Sequence, residues 1–214
     1  KYHKQQLKKL HWRIFLDNTT YDIIVVGGGS AGWMSAATLI KEFPDKKITL
    51  IESPEIATIG VGESTIGQIR NWTNFLGIED KSFLKHVDGT YKLSIQFTDF
   101  YKRGESFYYP FGVPILEDTY NGFNDWWYKK FIYPETPYTD YVNCYFSQMA
   151  LVNQNKLSIN EDGQFGSFYF FLDTAFHFDA TKFGLWLRDF YCLPKGVVHI
   201  KEHIDTVQQN ENEE

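Results

Sequence analysis

A run of glycines between two contrasting segments constrains this chain more than any other feature. "YDIIVV" (21–26) is a continuous β-branched block, and "GGGSAGWMSAATL" (27–39) follows it directly. The first block reads as a strand buried on both faces, as in a parallel sheet covered by helices. The second opens a helix predicted from Ser30 to about Phe43 and stopped by Pro44. Gly27, Gly29 and Gly32 fit the pattern G-x-G-x-x-G. In this setting Gly27 permits the tight turn, Gly29 lets the backbone approach a pyrophosphate, and Gly32 lets the helix pack on the strand. Ser30 and Ala31 begin the helix, where unpaired N–H groups face negative charge. "KKITLIES" (46–53) is the second strand. Glu52 stands near its end, twenty positions after Gly32 and beside Ser53, where a carboxylate accepts ribose hydroxyls. Strand, glycines, helix, strand and acid in this order predict an α/β, Rossmann-like dinucleotide-binding fold. The order does not separate FAD from NAD.

Composition narrows the partners. The formal charge is -6 over 214 residues, and no Lys/Arg block occurs beyond the first dozen, which argues against nucleic acid. Aromatic residues make up 18% of the chain, enough for broad surfaces that pack or hold a planar ligand. Two cysteines, Cys144 and Cys192, make no disulfide framework, so a reducing, cytoplasmic setting is expected. No apolar run reaches membrane-spanning length, so no membrane association is expected. The six histidines are dispersed and no Cys-x-x-Cys occurs, so no metal site is expected.

Further along, residues 54–65 read as a glycine-bearing loop. Thr65 is placed to cap a helix running to Leu76 and closed by Gly77, and a second short helix is predicted from Asp80 to His86. "YKLSIQFTDFY" (91–101) alternates as one strand, with Lys92, Ser94, Gln96 and Thr98 on one face. Residues 106–113 are extended, 121–132 helical and 133–165 irregular. An aromatic block from 167 leads into a helix from about Asp179, and 196–208 form a last strand. The expected division is a leader (1–20), a nucleotide-binding unit (21–90), a strand and loop lobe (91–176) and a return segment (177–214). The chain begins with Lys and ends in an acidic tail, which raises the expectation of a fragment.

Four segments in this order, "GGGSAGWMSAATL", "IESPEIATIGVGESTI", "VDGTYKLSIQF" and "HFDATKFGLWL", resemble the N-terminal part of the flavin-dependent tryptophan halogenases. The resemblance runs from about Asp22 to Val207 and is weaker between about 115 and 165. It implies a Rossmann-like FAD-binding fold with an added β-rich and loop-rich, substrate-facing lobe, here cut short. The family uses reduced FAD, delivered by a separate flavin reductase, with O2 and halide to make hypohalous acid. A lysine then presents electrophilic halogen to an indole or another electron-rich aromatic. A homodimer is compatible with the resemblance.

By resemblance, Lys92 matches that lysine, whereas its position on an alternating strand, taken alone, reads as a solvated face residue. "IGVGEST" (59–65) matches the strap along the flavin, with Ile59 and Glu63 as contacts; Gly67 stands where the family usually has Pro. Tyr109 and Phe111 match a His and a Phe that line the indole pocket, although aromatic core packing accounts for them equally well. Ile204 matches a position whose backbone meets adenine. Asp179 reads as a helix cap and His177 as a structural histidine. The family's Trp-x-Trp-x-Ile-Pro and Glu-Ser-Thr-Gly segments do not occur in these residues. This chain alone is therefore expected to bind FAD poorly. An FAD-dependent aromatic hydroxylase and an inactive flavoprotein remnant are the alternative readings.

Overall fold

The structure is a computed structural model that describes residues 21–56, 62–112, 114, 122–137, 139–157 and 174–207. The leader (1–20), Ile59 and the aromatic block from 167 to 173 lie outside them.

A βαβ unit forms the first layer. Strand β1 (Ile23–Val26) leads through the glycine turn into helix α1 (Ser30–Glu42), and β2 (Ile48–Glu52) follows. Strand β8 (Val198–Lys201) returns to β2, giving a parallel sheet in the order β1-β2-β8. Helix α1 buries Trp33, Ala36, Ala37 and Ile40, which the helical period of 3.6 places on one side. Strand β2 is central and buried from Ile48 to Ile51. Strand β1 departs from expectation: Ile24 is 48% and Val26 62% exposed. It pairs only with β2 among the described residues, so it is an edge strand there, and the face that carries Ile24 and Val26 is exposed.

A second, antiparallel sheet orders β3 (Gly62–Ser64), β7 (Ala175–Asp179) and β4 (Thr90–Lys92), with β7 in the middle. Alternation along β7 sends Phe176 and Phe178 into the core and leaves His177 outside. Phe83 is the centre of that core, with ring centroids of Phe176, Phe183 and Trp186 at 5.3, 5.6 and 5.8 Å. Helices α2 (Ile69–Leu76) and α3 (Asp80–Phe83) precede β4. Gly77, at φ +73, closes α2 as expected.

The expected strand 91–101 is two strands. The chain breaks at Leu93, so β4 pairs with β7, while β5 (Ser94–Thr98) pairs with β6 (Ser106–Pro110) in a separate hairpin. Lys92 therefore belongs to a different sheet from Ser94 and Gln96. Residues 54–65, read as loop, contain β3, whose pairing with β7 more than a hundred positions away leaves no local signal. Thr65 does not cap a helix. Its hydroxyl donates to the Phe176 carbonyl at 3.1 Å and accepts from the Phe176 N–H at 2.9 Å, tying the chain to β7. Helices α4 (Gly122–Ile132), α5 (Thr139–Tyr145) and α6 (Gln148–Asn153) follow, the last two within a segment read as irregular. Helix α7 (Ala180–Trp186) is capped by Asp179, which accepts from the Lys182 N–H at 2.8 Å. It continues into a π-helical turn, Leu187–Cys192, that places Tyr191 and Cys192 in the core. Strand β8 stops at Lys201, so Ile204 lies beyond the strand expected to carry it, and is half-buried.

Arg70 of α2 is 3% exposed yet satisfied. Its guanidinium donates to both oxygens of Asp80 at 2.6 Å and to Thr174 Oγ1 at 2.9 Å, and lies 4.5 Å over the Phe176 ring. The Tyr91 hydroxyl also donates to Asp80, at 3.0 Å; burial first, then the Asp80 charge, raise that phenol well above its usual range. Asp80→Asn keeps the shape but removes the countercharge of a buried cation. We expect it to cost about 2 kcal/mol, read as a lower urea midpoint at unchanged slope.

The cysteines differ. Cys144 is exposed, whereas Cys192 is buried and its thiol is pushed up to about 12 by desolvation. Iodoacetamide at pH 8 is expected to alkylate Cys144 and leave Cys192 untouched in the native chain, as peptide mass spectrometry would show.

Candidate functional site

Two centres emerge, one at the glycine turn and one on the outer face of the second sheet. At the turn, Gly27 has φ +113, a conformation that disfavours any side chain. A Cβ on Gly32 would stand 1.9 Å from the Gly27 carbonyl oxygen, so α1 sits directly on the turn. Nothing lies within 4 Å of a Cβ built on Gly29, the N-cap. No side chain caps α1 and no acid occupies its first turn. The first backbone hydrogen bond runs from Trp33 N–H to the Gly29 carbonyl at 3.1 Å, so the N–H groups of Ser30, Ala31 and Gly32 have no helical partner. That is an open donor set for a pyrophosphate, and the residues fit a dinucleotide.

Glu52 completes this centre. Its Oε1 lies 2.6 Å from His199 Nε2 of β8, and its Oε2 would be 1.4 Å from a Cβ on Gly28. Gly28, an unspecified position in the glycine pattern, is thus required for the acid to lean over the turn. Trp33 is buried and meets the His199 ring edge-on at 5.1 Å. A chain of contacts, Trp33 to His199 to Glu52, therefore sets the acid. Ser53 Oγ accepts from the Glu55 N–H at 3.2 Å and lies 3.1 Å from His203 Nδ1. Gly184 of α7 lets that helix approach α1, since its Cβ would be 3.3 Å from Ser30 Cα.

At the second centre, register does the positioning. Ser64 of β3 and Thr90 of β4 both stand opposite His177 of β7, and Lys92 is two positions beyond Thr90 on the same face. Lys92 Nζ donates to Ser64 Oγ at 2.7 Å and to the Thr65 carbonyl at 2.9 Å. Ser64 Oγ also lies 2.9 Å from His177 Nε2. Phe111 is buried, with its ring centroid 5.5 Å from Lys92 Nζ. Phe111 is fixed by its N–H on the Leu93 carbonyl at 3.0 Å and by its own carbonyl, which accepts from Gln148 Nε2. Desolvation lowers the Lys92 pKa, and no carboxylate pairs with this ammonium among the described residues. His177 is lowered too, first by desolvation and then by the Lys92 charge.

The structure thus gathers Lys92 and Phe111 in one place and Gly27, Gly29, Ser30, Ala31, Gly32 and Glu52 in another. Tyr109 is 60% exposed on β6, and Glu63 is exposed on β3 opposite Phe178. Sequence reasoning missed Ser64, Gly28 and His199 and read His177 as structural. The alternation of "AFHFD", with an exposed His between buried Phe residues, was the available signal for His177. A cleft of about 420 Å³ borders this face, lined by Gly62, Glu63, Ser64, Asp88, His177, Phe178 and Asp179. Among the described residues no group of His, Cys, Asp and Glu is placed to hold a metal, and no helix is long and apolar enough to cross a membrane.

The parallel sheet, the open helix start and the acid held against the glycine turn define a Rossmann-like FAD-binding fold of the α/β class. The chain belongs to the tryptophan halogenase family, whose sequence profile matches residues 22–214. It is 29% identical over 212 residues to a tryptophan 6-halogenase of Streptomyces albogriseolus, covering 92% of this chain and 39% of that one. A tryptophan 7-halogenase of Lentzea aerocolonigenes is 30% identical over 205 residues, covering 89% and 37%. Among solved structures, VirX1 in its apo form superposes with a TM-score of 0.78 at 37% identity, covering 89% of this chain and 37% of that one. A flavin-dependent halogenase from Xanthomonas campestris gives 0.73 at 27% identity, covering 89% and 36%. The chain therefore spans about two fifths of the length of the curated relatives, 39% and 37%.

Proposed function

We propose that the protein carrying this chain is a flavin-dependent halogenase acting on an indole or another electron-rich aromatic. The observation that carries the reading is Lys92. It is a partly buried amine with a depressed pKa and no carboxylate partner among the described residues, held by two oxygens beside a buried aromatic ring. Reduced FAD, if bound there and supplied by a separate reductase, would provide with O2 and halide the hypohalous acid. Ser30, Ala31 and Gly32 would hold its pyrophosphate through their N–H groups, and Glu52, aligned by His199, would take the ribose hydroxyls. By the family resemblance, Ser53, Ile59, Glu63 and Ile204 would also serve the cofactor. A neutral Lys92 has two N–H bonds and one lone pair. The Ser64 and Thr65 oxygens take the N–H bonds, which leaves the lone pair to meet electrophilic halogen. Phe111 and Tyr109 line the path of the aromatic substrate, Phe111 by its ring face.

The test is turnover of the intact protein with a flavin reductase, NADH, FAD, chloride or bromide, and a panel of indoles and phenols. Mass spectrometry reads the halogen isotope pattern. Halogenated product supports the reading; hydroxylated product without halogen, in the presence of both halides, overturns it.

A further inference from the structure

Lys92 has a route to water that the halogenase reading does not require. Ser64 stands between Lys92 and His177, with its oxygen 2.7 Å from Lys92 Nζ and 2.9 Å from His177 Nε2. The three side chains come from three adjacent strands, and register places Ser64 directly opposite His177. His177 is exposed and lines the 420 Å³ cleft together with Ser64, whereas Lys92 is partly buried behind Ser64. The hydroxyl has one proton and two lone pairs. It accepts from Lys92, so its own proton is free to go to Nε2 of a neutral imidazole.

We propose that Ser64 and His177 form the proton path that empties and refills the Lys92 amine. In the outward direction one Lys92 N–H bond breaks and that proton joins Ser64 Oγ. The proton already on Ser64 passes to His177 Nε2, and the imidazolium releases its Nδ1 proton to water in the cleft. The balance is one neutral amine, an unchanged hydroxyl, a neutral imidazole in its other tautomer and one proton in water. No electrons move. The inference rests on the reading of Lys92 as the group that meets the halogen, because an ammonium has no lone pair to offer.

The surroundings suit His177 as a conduit rather than a proton store. Burial and the nearby Lys92 charge both disfavour its imidazolium, so a proton that arrives there leaves for water. The carboxylates that share the cleft are committed or distant in the bonding pattern. Asp88 is paired with Lys182, and Asp179 of β7 accepts the Lys182 N–H of α7. Glu63 of β3 stands opposite Phe178, on the other side of the pleat from Ser64. On β4, Lys92 and Thr90 face His177, and Lys92 is the charged one.

The test uses the intact protein with 15N-lysine and 15N-histidine labels. It compares wild type with Ser64→Ala, Ser64→Thr and His177→Gln. One readout is the exchange rate of the Lys92 Nζ protons with water by NMR, which does not depend on activity. The other is halogenation kcat and KM against pH. Ser64→Ala and His177→Gln are expected to slow exchange and lower kcat about tenfold, with KM for the aromatic unchanged. Ser64→Thr, which keeps the hydroxyl, is expected to return both to within about threefold. The wild-type kcat is expected to fall at a pH below the usual histidine range, as His177 takes a proton, and that acid limb is lost in His177→Gln. Unchanged exchange in both Ser64→Ala and His177→Gln overturns the path. Slowed exchange with full halogenation upholds the path and overturns the role of Lys92 in halogen transfer.

Discussion

Lys92→Ala in the intact protein is expected to lower halogenated product by at least about a thousandfold, while FAD binding and oxygen consumption by reduced flavin continue. Three observations support so large an effect. The amine is held by two oxygens at 2.7 and 2.9 Å, so its position is fixed. Its pKa is depressed by desolvation, so the nucleophilic form is accessible nearer neutral pH. The glycine cradle is built by β1, α1 and β2, which Lys92 does not join, so cofactor binding is not expected to follow the loss. Lys92→Arg separates charge from nucleophilicity. A guanidinium keeps the positive charge but is not deprotonated, so Arg is expected to be as inactive as Ala. Oxygen electrode traces together with product mass spectra check both variants. Activity in Lys92→Arg near the parent rate would show that charge alone suffices.

Gly32→Ala is expected to abolish FAD binding and destabilise the fold by about 3 kcal/mol. The new Cβ would fall 1.9 Å from the Gly27 carbonyl oxygen, which is backbone and cannot swing aside. Helix α1 would have to lift from β1 and the turn. Trp33, Ala36 and Ala37, all buried on its inner side, would lift with it. Gly28→Ala makes a useful contrast. Its Cβ would fall 1.4 Å from Glu52 Oε2, which can swing away, and 2.7 Å from Glu52 Cβ, which moves only with β2, so the acid is expected to lose its place at a smaller cost in stability than in Gly32→Ala. Thermal melts and FAD titration by fluorescence distinguish the two variants: Gly32→Ala loses both stability and binding, Gly28→Ala chiefly binding.

The cradle was legible because its information is local. A β-branched run, glycines at set spacing and an acid at the end of the next strand all lie within about thirty residues, and each is demanded by sterics. The lysine centre was legible only through resemblance. Its geometry depends on pairings across more than eighty positions, Lys92 with Ala175 and Ser64 with His177. Alternation along 91–101 gave a face but hid the break at Leu93, since both halves keep a period of two while changing partners. Thr65 looked like a helix cap because the same hydroxyl chemistry serves a cap and a strand tie. Helices α5 and α6 are 7 and 6 residues long, too short for an apolar stripe to stand out. Strand β1 was read as doubly buried from composition, which reports what a strand is suited to and not what covers it.

The contact between Glu52 and His199 spans 147 positions. A ribosome delivering this chain releases the glycine turn well before β8. At ordinary elongation rates the interval is on the order of ten seconds. During that time β1, α1 and β2 can pair, but Glu52 has no imidazole to hold it and β2 has an open edge. Closing so long a loop is also what slows folding after release. The nucleotide site is thus among the last parts of the described fold to be completed, and the nascent chain carries an unpaired, apolar strand until then. Expression of this protein should accordingly respond to chaperone supply and to slower growth temperature more than its net charge would suggest.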